Sequence, residues 1–572
     1  MVLLSKKIRR MFVYLGCVVI CGVFYYQIAG LDPVSLWGSP KEIFNVKFDL
    51  EDTEVFSDLF DESLVVNFGK KRCLSGAGVV EMCWTKSKLF SATSFHKQAV
   101  VRTIIKKNIL GLKQARWFGI SEYLFYDSIS FKTLAVYFSK GLLKGSLGVF
   151  DISKEQLAGS KRVDDLYVKI GEWDIAMAGN GEYVSGINVL FGEDCVDPRV
   201  NWNLEKGWKL ADRYYPSYLS IKRIQVRKGT PGVDLRVNEE GNFKVVQLAD
   251  LHFGVGKGEC KDEFPTTENC EADPKTLNFV ETVLEIENPD LIVFTGDQIE
   301  GEWEQDSETA LLKALGPAIR RGIPYAVIWG NHDDSGSMDR QELSKYVYQL
   351  PYSLFKINPR DGLRNDFGFG NYVLQVDDRD GSPAITFYFL DSHKRSPNPK
   401  VYFGYDWIKE EQLNYLEEYY TKNLADKHTD LSMAFIHIPL PEYLNFQSVR
   451  NDEQQNEKIG SFKEGITAPR YNSGTADVLV KLKVSAVSVG HDHCNDYCLE
   501  TDFLSHSDSL WLCYGGAVGE RGYAGYGGTE RRIRIFEFNA KKKVINTWKR
   551  LHGSPDRKFD FQIIHDGYTD TA

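Results

Sequence analysis

What this chain is short of narrows the field first. Positive charge is in deficit: 69 Lys and Arg stand against 79 Asp and Glu, a formal net charge of −10. No basic face of the size a polynucleotide needs is present, which argues against a nucleic-acid partner. There is no internal repeat and no long low-complexity tract, so neither a repeat array nor a disordered tether organises the chain. No Asn-x-Ser/Thr sequon occurs in the 572 residues, and that absence counts against a glycosylating, lumenal compartment. Cysteine is sparse, with ten in all. The remainder, 43% hydrophobic and 26% charged, is ordinary globular composition. A chain of this length exceeds one ordinary core, so two domains plus extras are expected.

The N-terminus stands apart. Lys6, Lys7, Arg9 and Arg10 form a basic tail over residues 1–10, followed by an uncharged apolar stretch over 11–30. That stretch is long enough to cross a hydrocarbon core of about 30 Å as a helix. A cleaved signal peptide is the alternative, but Ile28-Ala29-Gly30 is a weak cleavage site. The expectation is a single-pass anchor with a cytosolic N-terminus and a lumenal catalytic domain, in the endoplasmic reticulum or vacuolar system. Residues 31–65, with Asp49, Glu51, Asp52, Glu54, Asp58, Asp61 and Glu62, read as an acidic stem. Cys17 and Cys21 lie in the apolar stretch. Among the other cysteines, Cys73 with Cys83, Cys260 with Cys270, and Cys494 with Cys498 form close pairs suited to disulfides. Pairing itself does not follow from spacing.

Residues 66–235 have a β-rich texture, in which residues 131–138 and 184–191 resemble strands. Trp202, Trp208 and Tyr218 suggest packed core there. From 243 to about 550, apolar strands alternate with helical stretches, at 244–249, 277–287, 291–295, 310–321 and 325–329. Such alternation predicts βαβ units and an α/β fold with functional groups at the carboxyl ends of the strands. Residues 551–572 read as a C-terminal tail.

Metal-ligand chemistry gathers at those strand ends. The run Val245-Val-Gln-Leu-Ala closes on Asp250-Leu-His252, whose alternate residues face one way and can reach one ion together. Three later runs end in Gly296-Asp297, Gly330-Asn331-His332-Asp333 and Gly490-His491-Asp-His493, and His437 follows a fourth. A lone Asp-x-His is most often structural; the set in order is not. Oxygen ligands mixed with imidazoles suit divalent iron, manganese or zinc rather than calcium. The set exceeds the needs of one ion, and Asp297 is placed to bridge two. Two ions clamp a phosphoryl group and supply a bridging hydroxide for in-line attack, so no Ser or Cys nucleophile is required.

In their order and spacing these five blocks resemble the calcineurin-like metallophosphoesterase superfamily over about 300 residues. The resemblance implies a sandwich of two mixed sheets flanked by helices. It further implies Asp250, His252, Asp297 and His493 on one ion and Asp297, Asn331, His437 and His491 on the other. His332 would be the histidine that contacts phosphate and protonates the leaving oxygen, with Asp333 holding its tautomer. Purple acid phosphatases carry a tyrosine four residues into the Gly-Asp block. Glu300 stands there in this chain, which puts a ferric tyrosinate centre in doubt and favours two divalent ions. Residues 403–408, 469–474 and 527–532 resemble the tyrosine-lacking branch of plant proteins and fungal homologues. A fungal member of that branch implies a part in cell-cycle or stress signalling.

The expectation is therefore a metal-dependent phosphomonoesterase acting on phosphorylated protein, phosphoserine or phosphothreonine. The open alternatives are a phosphodiesterase or nucleotide pyrophosphatase on the same metal core, or a non-enzymatic scaffold. Arg470, Arg531 and Arg532 are candidate phosphate forks, or, for the last two, part of a solvated charge run flanking a strand. His393 is a weaker substrate-contact candidate, and His96 has no context. The acidic loop 259–271 is expected to brace a lid.

Overall fold

Strands dominate from the first described residue because alternating and continuous apolar runs leave few stretches with helical spacing. The computed structural model describes residues 62–76, 79–88, 100–110, 118–134, 147–172, 180–212, 214–225, 233–302, 304–362, 367–425, 429, 431–445, 459–501, 509–525 and 528–567. Strands β1 (Ser63–Gly76), β2 (Val79–Lys88), β3 (Val101–Ile104) and β4 (Phe118–Ser130) form a sheet in the order β2-β1-β4-β3. Strands β5 (Leu147–Ser153), β6 (Ser160–Val163) and β7 (Leu166–Glu172) form a second, ordered β5-β7-β6. A third contains β8 (Asn180–Phe191), β9 (Trp202–Glu205) and β10 (Ser217–Gln225), ordered β8-β10-β9. The expected β-rich texture is thus present, with one local difference. Residues 131–134, read as the start of a strand, are helical, and 135–138 lie outside the described residues.

The second part is a sandwich. Strands β11 (Asn242–Leu248), β12 (Leu291–Thr295) and β13 (Tyr325–Ile328) run parallel to one another. Their sheet continues antiparallel through β20 (Arg532–Asn539), β21 (Val544–Leu551) and β22 (Ser554–Asp566). The other sheet has the order β14 (Tyr372–Asp377), β15 (Pro383–Phe389), β16 (Leu431–Phe435), β17 (Ala486–Val489), β19 (Leu510–Tyr514) and β18 (Cys498–Thr501). In it, β15, β16, β17 and β19 are parallel. Their residues are almost wholly apolar, as strands covered on both faces must be. Phe387 meets Phe538 edge-on at 5.2 Å and Phe435 meets Phe536 at 6.2 Å, so the two sheets share one aromatic core.

Helices cover the outer faces. α1 (Ala272–Glu287) buries Phe279, Val280, Val283 and Leu284, one stripe of a helix. α2 (Ser307–Arg321) lies beside it and ends on Gly322 in the left-handed conformation (φ 67°). α3 (Arg340–Tyr348) opens with a capping box between Asp339 and Glu342. On the opposite face, α4 (Glu410–Asn423) and α5 (Thr475–Lys481) pack Leu413, Leu416, Leu479 and Val480 against Val487 and Val489. Acidic residues at the start of α2 meet the N-terminal sheets: Lys107 Nζ lies 2.8 Å from Asp306 and 2.7 Å from Glu308.

Three expectations are corrected. Among the described residues no helix is long and apolar enough to cross a membrane. The single-pass placement expected from residues 11–30 therefore has no support, and those residues, with most of the stem, lie outside the described residues. Residues 551–572, read as a tail, include β22, whose Ile564 is buried in the core while Phe561 stays exposed. Cys73–Cys83 and Cys260–Cys270 are disulfides, but Cys498 bonds Cys513 rather than Cys494. The reason is register: Cys498 and Cys513 face each other across the antiparallel β18–β19 pair, a neighbour that sequence proximity cannot reveal. Cys494 is buried and free.

Candidate dimetal centre

Five strands carry the ligands, three from one sheet and two from the other. Asp250 and His252 follow β11, Asp297 follows β12, and Asn331 and His332 follow β13. His437 follows β16, and His491 and His493 follow β17. Backbone bonds stitch these loops together, with Asp250 N donating to Gly296 O (3.1 Å), His252 N to Asp297 O (2.9 Å) and Gly490 N to His437 O (3.2 Å). Beneath them Gln247 joins the sheets, donating to Thr295 Oγ1 (3.0 Å) and Val489 O (3.2 Å) and accepting from Ser488 Oγ (2.6 Å). No sequence motif marked Gln247. Its only signal was a polar residue inside a buried strand.

The turns are unusual in conformation. Asp250 (φ 53°), His252 (φ 50°), Asp297 (φ 51°) and His491 (φ 72°) all occupy the left-handed region, where non-glycine residues are rare. Such backbone persists only where its surroundings over-determine it, and it clusters at functional sites. Close packing explains two glycines of the motifs. A Cβ on Gly330 would stand 2.1 Å from Asp297 Oδ1, and one on Gly296 2.2 Å from His437 Nδ1.

The side chains converge in two groups, Asp250 with His252 and His493, and Asp297 with His437 and His491, all buried. Asp297 joins them. Its Oδ2 lies 3.3 Å from His437 Nε2 and 3.8 Å from His252 Nε2, while Oδ1 accepts from His332 N at 2.9 Å. Asn331 Oδ1 lies 3.2 Å from His437 Nε2 and completes the second group. The outer ring nitrogens are directed at acceptors. His437 Nδ1 is 2.9 Å from Thr295 O, and His493 Nδ1 is 2.8 Å from Tyr523 O. His252 Nδ1 lies 3.1 Å from Glu300 Oε2. The carbonyl contacts place the Nδ1 protons of His437 and His493 outward and turn Nε2 inward, and the Glu300 charge draws the His252 proton the same way. His252 Nε2 and His493 Nε2 consequently face each other at 3.1 Å. Two imidazole nitrogens this close must share a proton or a cation, and with Asp250 Oδ1 3.6 Å from His493 Nε2 the donor set fits a metal ion.

The charges tell the same story. Burial works to lower His437, yet Asp297 and Asp250 outweigh it and lift the imidazole to about 9. Burial, then the neighbouring His437, pushes His491 well below its usual range, and burial with His252 does so for His493. Burial raises Asp250, and Asp297 adds to that rise. Burial also opposes charge on Asp297, but His437 overrides it and holds the carboxyl well below the usual range. The buried Asp297 carboxylate is thus balanced by a charged His437 while His491 and His493 stay neutral, and a bound cation would take the place of the His437 proton.

Other expected residues fall into different places. His332 is half-buried with its ring 5.2 Å from that of His252. Asp333 does not reach its ring. The Asp333 carboxylate accepts backbone amides from Asp297 (3.1 Å), Ile299 (3.1 Å) and Gly330 (2.7 Å), which fixes the turn rather than the tautomer. Arg531 and Arg532 are buried and donate to carbonyls, among them Gly522 O (2.7 Å) and His493 O (2.8 Å), so neither is a phosphate fork. His393 is buried with Nε2 2.8 Å from Gln412 Oε1, a structural role. Arg470 is exposed and lies over the Phe403 ring, 5.1 Å from its centroid. The Cys260–Cys270 loop is pinned to the segment beside His493, with Lys261 N donating to Glu520 O (2.9 Å) and Lys261 Nζ 3.1 Å from Glu300. His96 lies outside the described residues. Arg340 was not singled out by any motif. It donates to Gly330 O and pairs with Asp391 (2.6 Å) and Asp334 (3.1 Å), holding the Asn331–Asp333 turn.

Comparison with known proteins agrees with this geometry. Residues 243–495 match the family model described as calcineurin-like phosphoesterase. The chain is 47% identical over 584 aligned positions to Phosphatase DCR2 of Saccharomyces cerevisiae, covering 99% of each chain. It is 35% identical to "Probable inactive purple acid phosphatase 14" of Arabidopsis thaliana, over 58% of this chain and 86% of the other. The chain belongs to the calcineurin-like phosphoesterases, in the company of phosphatase and inactive purple acid phosphatase-like relatives.

Proposed function

We propose that this chain is a dimetal phosphomonoesterase acting on phosphorylated protein, at phosphoserine or phosphothreonine. The observation that carries the metal-dependent reading is the position of Asp297 Oδ2, facing both histidine groups at 3.3 and 3.8 Å. Two divalent ions, of manganese, iron or zinc, would be held by Asp250, His252, Asp297 and His493 and by Asp297, Asn331, His437 and His491. When bound, such ions polarise phosphoryl oxygens and lower the pKa of a coordinated water. The chain's own residues set the rest. Thr295 O and Tyr523 O, with the Glu300 carboxylate, orient the imidazoles, and burial keeps bulk water from the ligands. His332, half-exposed beside the His252 ring, is the group available to give a proton to the leaving oxygen. A role in cell-cycle or stress signalling remains part of this reading, on family likeness.

The label "inactive" attached to the plant relative sets the contrast to be tested, because every motif residue is intact here. The experiment is metal content and hydrolysis by residues 40–572, with Mn, Zn and Fe restored in turn, on p-nitrophenyl phosphate and its bis ester. About two ions per chain and preference for the monoester are expected. Preference for the bis ester would make the protein a diesterase. Two ions without turnover on either would make it a binding protein that keeps the fold.

A further inference from the structure

A short hairpin rises beside the metal centre and ends in exposed aromatic side chains. It follows β15 and begins at Lys394, just after His393. Arg395 pairs antiparallel with Tyr405, Asp406 N donates to Lys394 O (2.8 Å), and Ser396 N donates to Gly404 O (3.0 Å). At its base the Tyr405 ring meets the ligand His491 edge-on at 4.5 Å, so the hairpin is seated on the site itself. Arg395 lies over the same Tyr405 ring, its guanidinium 4.7 Å from the centroid. At the tip, Val401 and Phe403 are each 64% exposed, and Tyr402 and Tyr471 are 38% and 45% exposed. Arg470 sits over Phe403.

Exposed apolar surface of this kind, rimmed by charge, marks an interaction site. Among the described residues neither Arg395 nor Arg470 has an ion-pair or hydrogen-bond partner, in a chain whose net charge is −10. Two unpaired guanidiniums next to a phosphatase centre call for an anionic ligand. Ring geometry then discriminates between ligands. Tyr402 meets Trp407 at 66° and Tyr471 at 74°, and Lys409 lies 3.8 Å over the Trp407 ring. These rings brace one another edge to face in place of a parallel slot for a flat base, and the most exposed groups at the tip are the Val401 and Phe403 side chains. Those suit aliphatic side chains of an extended peptide.

We infer that residues 394–407 with Arg470 and Tyr471 form the leaving-group subsite, which takes a phosphopeptide bearing an apolar and an acidic side chain beside the phosphorylated residue. This inference rests on the phosphoprotein reading above. Arg395 contacts the phosphate end, Val401 and Phe403 take the apolar side chain, and Arg470 pairs with the acidic one.

The test is binding, so that it stands apart from turnover. The metal-loaded full chain is titrated, by fluorescence anisotropy, into phosphonate analogues of a phosphoserine peptide that resist hydrolysis. One peptide carries Leu and Glu beside the phosphonate, and its twin carries Ala and Lys. At least tenfold tighter binding of the Leu/Glu peptide is expected, and Arg470→Glu should reverse the charge preference. Equal affinities for the two peptides in the unaltered chain would overturn the subsite, with no variant needed. So would tighter binding of adenosine monophosphate than of either peptide. Hydrolysis of glycerol phosphate, measured separately, tests the phosphatase reading. If the chain lacks turnover, the peptide affinities still decide the subsite.

Discussion

Glu300 Oε2 stands 3.1 Å from His252 Nδ1, without the alignment of a full hydrogen bond, at the position where purple acid phosphatases carry their tyrosine ligand. The contact turns a lost ligand into an orienting group. Burial works against its charge, but His252 and Lys261 hold the carboxyl down at about 2, so it is an anion across the working pH range. Its charge favours the Nδ1–H tautomer and leaves Nε2 for an ion. Glu300→Gln keeps the shape and removes the charge. Metal affinity of the site served by His252 should fall about 10- to 100-fold, read by competition with a chelating dye. Unchanged affinity would reduce Glu300 to a partner of Lys261.

Asp297→Asn should strip metal and activity together. The substitution puts an amide NH2 or an uncharged oxygen where Oδ2 now faces His437 and His252. Metal analysis of the purified variant decides it. Two full equivalents would show that the carboxylate does not bridge.

His332→Ala separates ring from backbone. The His332 amide that donates to Asp297 Oδ1, and the carbonyl that accepts from Ser335 N at 3.0 Å, both survive the change. Both ions should therefore remain while kcat falls by roughly 10²–10⁴, the usual worth of a general acid. A smaller loss with a leaving group of low pKa would identify the step as protonation of the leaving oxygen. An unchanged kcat would remove His332 from the chemistry.

Glu304 provides a pH signature outside the ligand set. Burial, with Asp273 adding to it, raises the carboxyl to about 7, although the Val255 amide donates to it at 2.6 Å. A raised acid contributes fully below its unfolded pKa near 4.5, and that contribution disappears as pH climbs through 7. The shift corresponds to about 3 kcal/mol lost by pH 8. Glu304→Gln should therefore match the unaltered chain in urea at about pH 4 and exceed it at about pH 8. Parallel midpoints at both values would show that the carboxyl titrates normally.

The convergence of the candidate ligands was legible because each lies within a few residues of an apolar strand end, and strand ends in α/β sheets converge. Asp250, His252, Asp297, Asn331, His437, His491 and His493 all meet as their order implied. What could not be read depends on neighbours distant in sequence. Arg531 and Arg532 looked like free cations, yet the return of β20 to β11 buries them against carbonyls. Cys498 found Cys513 across a strand pair instead of Cys494 nearby. Asp333 was given to His332 by adjacency, but a tight turn aims the carboxylate back at three amides. Residues 551–572 carried no strong apolar run, and only the β21 edge makes β22 a strand.

The left-handed backbone at Asp250, His252, Asp297 and His491 has a meaning beyond geometry. Each such residue costs about 1–3 kcal/mol relative to a relaxed conformation, whether or not an ion is present. Glycine or asparagine would relieve that cost, so simple drift toward stability would erase these residues one at a time. A chain retaining all four is paying for readiness. Its thermal tolerance and its capacity to hold ions are opposed, and thermostabilised variants selected without regard to function should lose these positions first.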